Sequence, residues 1–269
     1  KMDLAECSEA RFGEVRHELM SFLSSLGISP KFWIPISARD GDNVAIPSDR
    51  MPWYGGPTVL DGLDTFTSRN PALDLPVRFP VQDIYKVKDK RILVGRVEAG
   101  RMRQGDEVTF LPQESKTRVS SIEVLWRDKN EAEAGESIGI TISEPLFIER
   151  GAVACPAENM PVAASAIRAN VFWMAKRPFR EGEKLWLRLA TQEVPVELKV
   201  EGKTDSSTLE PIKEDPGRVH ETEVAEVLIK AGKPLVVESF NQIPELGRFV
   251  LVRDLDVVAG GIITSTSPA

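Results

Sequence analysis

Five residues near the start of the chain could together recognise one nucleobase. Lys1-Met2-Asp3 has the spacing of the last three residues of an Asn-Lys-x-Asp motif, and Ser37-Ala38-Arg39 offers a second loop further on. A carboxylate at Asp3 can accept hydrogen bonds from guanine N1–H and from the exocyclic amine. Adenine lacks that donor pair, so a site built this way rejects it by leaving buried polar groups unpaired. The Lys1 stem can lie along the base, and a backbone N–H at Ala38 can reach guanine O6. Ser37 can steady the loop, and Arg39 stands where such loops usually carry Lys. K-x-D alone is common by chance; its weight comes from the helix, apolar segment and Ser-Ala-Arg loop that follow. Lys1, Asp3, Ser37, Ala38 and Arg39 are therefore the candidate base pocket, and GTP is the expected cofactor.

The phosphate half of such a site is not in the sequence. No G-x-x-x-x-G-K-[ST] occurs in the 269 residues, and no D-x-x-G follows a strand in a suitable context. No residue can then be assigned to Mg2+, to the phosphates or to positioning water. The expectation is a chain that begins inside a GTPase domain, with the Mg2+ site and all catalytic residues outside it. By itself it should neither hold GTP tightly nor hydrolyse it. Other chemistries are poorly supplied. There are two histidines, His17 and His220, and two distant cysteines, Cys7 and Cys155, with no metal-ligand spacing. Two reduced thiols in a cytoplasmic protein is the plain reading.

The first third must position the five residues, and it reads as α/β. Ser8 can cap a helix with Phe12, Val15, Leu19, Phe22, Leu23 and Leu26 at a 3.6-residue period, ended by Gly27. Residues 31–37 are short and apolar and read as a buried strand, weakened by Pro35. A loop rich in Gly, Asp and Asn follows, and Pro57 suits the first position of a second helix carrying Val59, Leu60, Leu63 and Phe66. Helix, strand, loop, helix is not a closed domain. Residues 67–74 read as a linker.

Beyond it the texture changes to short strands punctuated by Gly. Strands are expected at 79–87, 91–99, 107–112, 118–125 and 137–143, then at 166–175, 184–190, 194–201, 221–230, 235–237 and 248–252. This is the pattern of small barrels. The two sets show no tandem repeat. We place the domains at 1–70, 71–161 and 162–269. The fold class is thus mixed: the remnant of an α/β P-loop GTPase domain followed by two all-β barrels.

Three further stretches could carry binding. Trp53-Tyr54 could anchor a partner but suits a core contact near the second helix. The basic run Lys86 to Arg91 suits a solvated hairpin tip. Phe172-Trp173-Met174 suits strand packing. A formal net charge of -7 and a pI near 5.2 argue against broad charge-driven binding of nucleic acid. No run of about 18 apolar residues suggests a membrane span.

Lys1 to Asp3, Ser37 to Arg39, Gly95-Arg96-Val97-Glu98-Ala99-Gly100 and Gly105-Asp106-Glu107-Val108 together resemble a translation-factor GTPase. In that order of parts the end of the G domain is followed by barrels two and three. Arg248 to Val252 and Val258 to Ile263 are similar to the closing strands of the third domain. Finer features resemble the GTPase subunit of bacterial sulfate adenylyltransferase: Gly41-Asp42-Asn43-Val44, Met51 to Thr58, Arg78 to Gln82 and Val171 to Ala175. The 85–95 hairpin is shorter than in that subunit, and Arg127-Asp128-Lys129-Asn130 replaces its usual Asp-Gly loop.

The resemblance implies a GTP-binding regulatory subunit that couples GTP hydrolysis to adenylyl sulfate synthesis from ATP and sulfate. Its partner would be a small adenylyltransferase subunit. It would be cytoplasmic, with no membrane and with nucleic acid an unlikely partner. The alternative is an elongation factor of the Tu/1-alpha type delivering aminoacyl-tRNA. Such factors usually open domain three with a His-Thr-Lys-Phe-like stretch, where this chain has Ala166-Ile167-Arg168-Ala169-Asn170. From another class, residues 75–269 could be a β-barrel docking module without enzymology of its own.

Overall fold

A computed structural model of the chain describes residues 1–66, 72–124 and 127–266. It divides into two compact units, Lys1–Arg69 and Asn70–Ala269. Part of the expected linker, 67–71, lies outside the described residues.

The first unit holds helix α1 (Glu9–Ser25) and the short helix α2 (Val59–Asp64). The Ser8 side chain accepts from Arg11 N–H and caps α1, and Gly27 takes the left-handed conformation after it (φ 69). None of the residues of α1 is fully buried. The second helix begins two residues later than Pro57 suggested. Thr58 is its N-cap and forms a reciprocal capping box with Asp61. That bond set, led by the Thr58 hydroxyl, holds the Asp61 carboxyl below its ordinary value.

The strand expected at 31–37 does not form. The segment is extended and makes only an isolated bridge, Ser37 to Asp42. Pro35 brings no N–H to a ladder, and no neighbouring strand exists among the described residues of this unit.

The second unit carries two β-domains. The first comprises β1 (Phe79–Val87), β2 (Lys90–Arg96), β3 (Arg101–Arg103), β4 (Glu107–Leu111), β5 (Ser115–Val124), β6 (Arg127–Lys129), β7 (Glu131–Glu133), β8 (Ser137–Ile142) and β9 (Val153–Cys155). Its sheet runs β4-β9-β1-β2-β8-β5-β6, and β4 also pairs with β5, so the order returns on itself. Inside lie Phe79, Val81, Leu93, Met102, Phe110, Ile122 and Ile140. Gly100, at φ 74, is required here: a Cβ would stand 2.6 Å from both Leu75 O and Val77 N.

The second β-domain comprises β10 (Val162–Trp173), β11 (Phe179–Arg180), β12 (Lys184–Leu189), β13 (Gln192–Asp205), β14 (Arg218–Val219), β15 (Glu223–Val237), α3 (Pro244–Gly247), β16 (Arg248–Arg253) and β17 (Asp256–Thr266). Six of the strands close a barrel in the order β10-β15-β13-β12-β16-β17. Alternation along β12 puts Leu185, Leu187 and Leu189 inside.

Two expected strands, 221–230 and 235–237, are one. β10 advances from Ala164 to Ala166 while β15 advances from Leu235 to Lys230, and this bulge absorbs Gly232 and Pro234. The closing strand β17 contains the 258–263 stretch that resembles a closing strand of the third domain. Within it Gly261 admits the Phe249 ring, whose Cζ would lie 2.4 Å from an added Cβ.

The two β-domains share a junction. The buried guanidinium of Arg78 donates to Glu238 (2.6 and 2.8 Å), to the Asn159 carbonyl (3.0 Å) and side chain (2.9 Å), and to Val77 O (2.9 Å). Close by in the second barrel, the Gln192 side-chain amide donates to Val236 O and accepts from Val236 N, both at 2.8 Å. Gly151 of the first β-domain lies against Gln192.

Candidate functional site

The site is built from loop backbone rather than from regular elements. Met2 N–H donates to Ile36 O (2.9 Å), which brings Lys1, Asp3 and the Ser37-Ala38-Arg39 loop side by side. Below this bond lies a small core of Met2, Cys7 and Met51, with Ala5, Phe12, Trp53 and Tyr54 packed against it. Trp53 Nε1–H donates to Cys7 O (3.0 Å), and its ring sits 5.6 Å from that of Phe12. Trp53 and Tyr54 are thus packing residues that brace the segment after Asp3.

The second loop is held by its own hydrogen bonds. Ser37 is fully buried, its hydroxyl accepting from Asp40 N–H (3.2 Å) and its carbonyl from Gly41 N–H (2.8 Å). Asn43, at φ 54, is almost as deeply buried. Its amide donates to Pro35 O (2.9 Å) and accepts from Ser48 N–H (2.8 Å), tying both ends of the loop together. Asn43 O and Val44 O then receive the first N–H groups of α2, from Val59 and Leu60. Arg50 clamps Asp40 (2.7 Å) and Asp42 (3.2 Å). The Arg50 hydrogen bond, more than any other cause, holds the Asp40 carboxyl below its ordinary value.

Sequence reasoning missed Asn43, Ser48 and Arg50 as supports. The only signal was an Asn following Gly-Asp, where a positive φ is tolerated.

What remains free is suited to an outside ligand. Among the described residues, no protein group donates to the Asp3 carboxylate, and the N–H groups of Ala38 and Arg39 have no protein acceptor. The Arg39 side chain is 82% exposed and reaches only Asp40, at 4.0 Å. An acceptor-only carboxylate beside two free backbone donors fits the donor and acceptor edge of guanine. The described residues contain no cluster of three His, Cys, Asp or Glu that could hold a metal, and no helix long and apolar enough to cross a membrane.

Residues 90–155 match the family model described as elongation factor Tu domain 2, and residues 166–264 match the GTP-eEF1A C-terminal domain-like model. The chain therefore belongs to the translation-factor GTPase superfamily through its two β-domains. At finer grain it is 34% identical over 278 residues to elongation factor 1-alpha of Pyrobaculum islandicum, covering 100% of this chain and 62% of that protein. It is 36% identical over 264 residues to elongation factor 1-alpha of Thermoplasma acidophilum, covering 94% and 61%. The chain thus spans about three fifths of these relatives, 62% in the first case. A crystal structure of sup35 complexed with GDP superposes with a TM-score of 0.69 at 24% identity, covering 100% of this chain and 68% of that one, which shows the shared fold.

These relatives correct the sulfate-activation expectation. Proteins named elongation factor 1-alpha match along the whole chain, so the regulatory subunit of sulfate adenylyltransferase, its enzymology and its small adenylyltransferase partner are set aside. The residues behind that expectation are largely packing and backbone devices. Gly41 and Asn43 supply positive φ in their loop, and Met51, Trp53 and Tyr54 fill the small core. Such positions report a fold shared by many branches and do not separate one from another. The dismissal of nucleic acid falls with it, because net charge sums over a whole surface and does not describe a local patch.

Proposed function

We propose that the protein carrying this chain is a GTP-dependent translation elongation factor of the 1-alpha type, working in the cytoplasm and delivering aminoacyl-tRNA. The observation that carries the proposal is 34% identity to elongation factor 1-alpha across 100% of the chain. In this reading Asp3 accepts from guanine N1–H and the exocyclic amine, and Lys1 lies along the base. The Ala38 N–H faces O6, while Ser37 and Arg39 complete the loop. Mg2+ would accompany the phosphates and is not held by these residues.

The reading is tested by the lifetime of the aminoacyl ester. With GTP the whole protein should protect aminoacyl-tRNA from hydrolysis, and with GDP it should not. Equal lifetimes in the two cases, with GTP bound, would remove the delivery role. The base pocket is tested separately by Asp3→Asn. A side-chain amide mismatches guanine and matches xanthine, which carries a carbonyl where guanine carries an amine. The variant should lose at least about 100-fold in GTP affinity and gain XTP. Unchanged GTP affinity would reject the assignment of Asp3.

A further inference from the structure

The second barrel carries a pair of arginines set side by side. In the two-residue ladder of β11 and β14, Phe179 pairs with Val219 and Arg180 with Arg218. Phe179 and Val219 are buried, so alternation turns both guanidinium groups to the outer face. Like charges directly opposite one another on an antiparallel pair destabilise it. The backbone around them is well fixed: Glu181 N–H donates to Gly217 O (2.9 Å) and Arg218 N–H to Asp215 O (3.0 Å).

Nearby carboxylates neutralise only the Arg218 side of the pair. Asp215 meets Arg218 at 3.2 Å, but Arg180 takes part in no ion pair among the described residues. Glu183 lines the same cleft as Arg177, Pro178 and Arg180, a space of about 260 Å³. Its carboxylate is occupied by Arg253, through bonds of 2.6 and 2.8 Å. Arg253 also donates to the carbonyls of Arg177 (3.2 Å) and Pro178 (3.3 Å) and lies 5.2 Å from the Trp173 ring centre. Glu181 spends one carboxylate oxygen on Val200 N–H (2.9 Å). The acid of the cleft is thus held by Arg253, with the exposed Arg177 3.6 Å from it, while Arg180 keeps its donors free.

We propose that Arg180 and Arg218, with Arg177 at the rim, form a binding site for a phosphate group. A phosphate offers several acceptor oxygens, and guanidinium forks meet it with paired, charge-assisted hydrogen bonds. Its charge would offset the repulsion across the ladder. The phosphate could belong to a free phosphate compound or to an RNA strand. The site stands on its own geometry and does not depend on the elongation-factor reading.

The test is thermal melting of the whole protein and of its Arg180→Gln and Arg180→Lys variants, in phosphate-free buffer and with added inorganic pyrophosphate or a short RNA duplex. In phosphate-free buffer Arg180→Gln should melt no lower than the parent, since it removes a repulsion. At saturation a bound ligand should raise the parent Tm by about 5 °C, with most of the shift lost in Arg180→Gln and retained in Arg180→Lys. A shift with pyrophosphate as well as RNA assigns free phosphate compounds, and a shift with RNA alone assigns a strand backbone. If neither probe shifts the parent, or if both shift parent and Arg180→Gln equally, the proposal is overturned. Arg188→Gln, which breaks a 3.0 Å pair with Glu193 away from this ladder, should respond as the parent does.

Discussion

The unit of residues 1–69 and the unit of residues 70–269 are held together by different physics. The barrels bury continuous apolar cores around side chains such as Trp173, Phe79 and Phe110. Among its described residues the first unit has a small apolar core of Met2, Cys7 and Met51, and its loops owe their shape to Ser37, Asn43, Ser48, Asp40 and Arg50. Apolar burial scales with area and tolerates small errors of position. A hydrogen-bonded loop depends on particular donors and acceptors. The candidate base pocket sits in the region where single polar atoms decide the geometry.

The sharpest way to break the comparison is in the barrel. Trp173→Ala should cost the second unit about 3–5 kcal/mol, read as a fall in urea midpoint. The same variant should leave amide exchange at Gly41, Val44 and Ser48 unchanged. Next comes Arg78→Ala, which strands the Glu238 carboxylate at the junction and should cost about 3 kcal/mol. Replacing both partners, Arg78→Met with Glu238→Met, should recover much of that loss. If the single and double variants were equally destabilised, the ion pair would not be the seat of the effect.

Smaller effects belong to the first unit. Asn43→Ala should cost it about 1–3 kcal/mol by leaving Pro35 O and Ser48 N–H without their partner. Exchange at Ser48, Val59 and Leu60 should rise, and the barrel midpoint should hold. The smallest effect is set by pH. Because Arg50 lowers the Asp40 carboxyl in the folded loop, its contribution is complete above the ordinary carboxylate range and is lost as pH falls through the lowered value. Exchange at Gly41 and Val44 should therefore keep its ordinary pH dependence from pH 7 to about 5 and show extra loosening only below about 4. Loosening that began near pH 6 would point to a group other than Asp40.

The same contrast explains what the sequence disclosed. Strands β1, β4, β8 and β12 were readable within a residue or two, because alternation and turn glycines are local signals. The single long β15 was not, because a Gly and a Pro held in a bulge look like chain breaks, and β17 was legible only through the likeness of 258–263 to a closing strand. The segment at 31–37 has the apolar composition of a strand, but a strand needs partners and none is supplied there. Lys1, Asp3 and the Ser37–Arg39 stretch were visible as residue types at a spacing. Their support by Asn43 and Arg50 was not, since it depends on which backbone groups a folded loop leaves unpaired. The branch of the superfamily was misread because its markers were packing residues.

The Gln192 amide beside Gly151 fixes one last property of the junction. It gives Val236 a donor and an acceptor at once, as a peptide group would. Asn carries the same amide on a shorter arm, and Glu carries only acceptors. Chemical ageing of this one side chain, from amide to acid, would turn a donor into an anion facing the Val236 carbonyl. The durability of the two-barrel junction over the life of the molecule is then set partly by how well water is kept from a single side-chain carbonyl carbon.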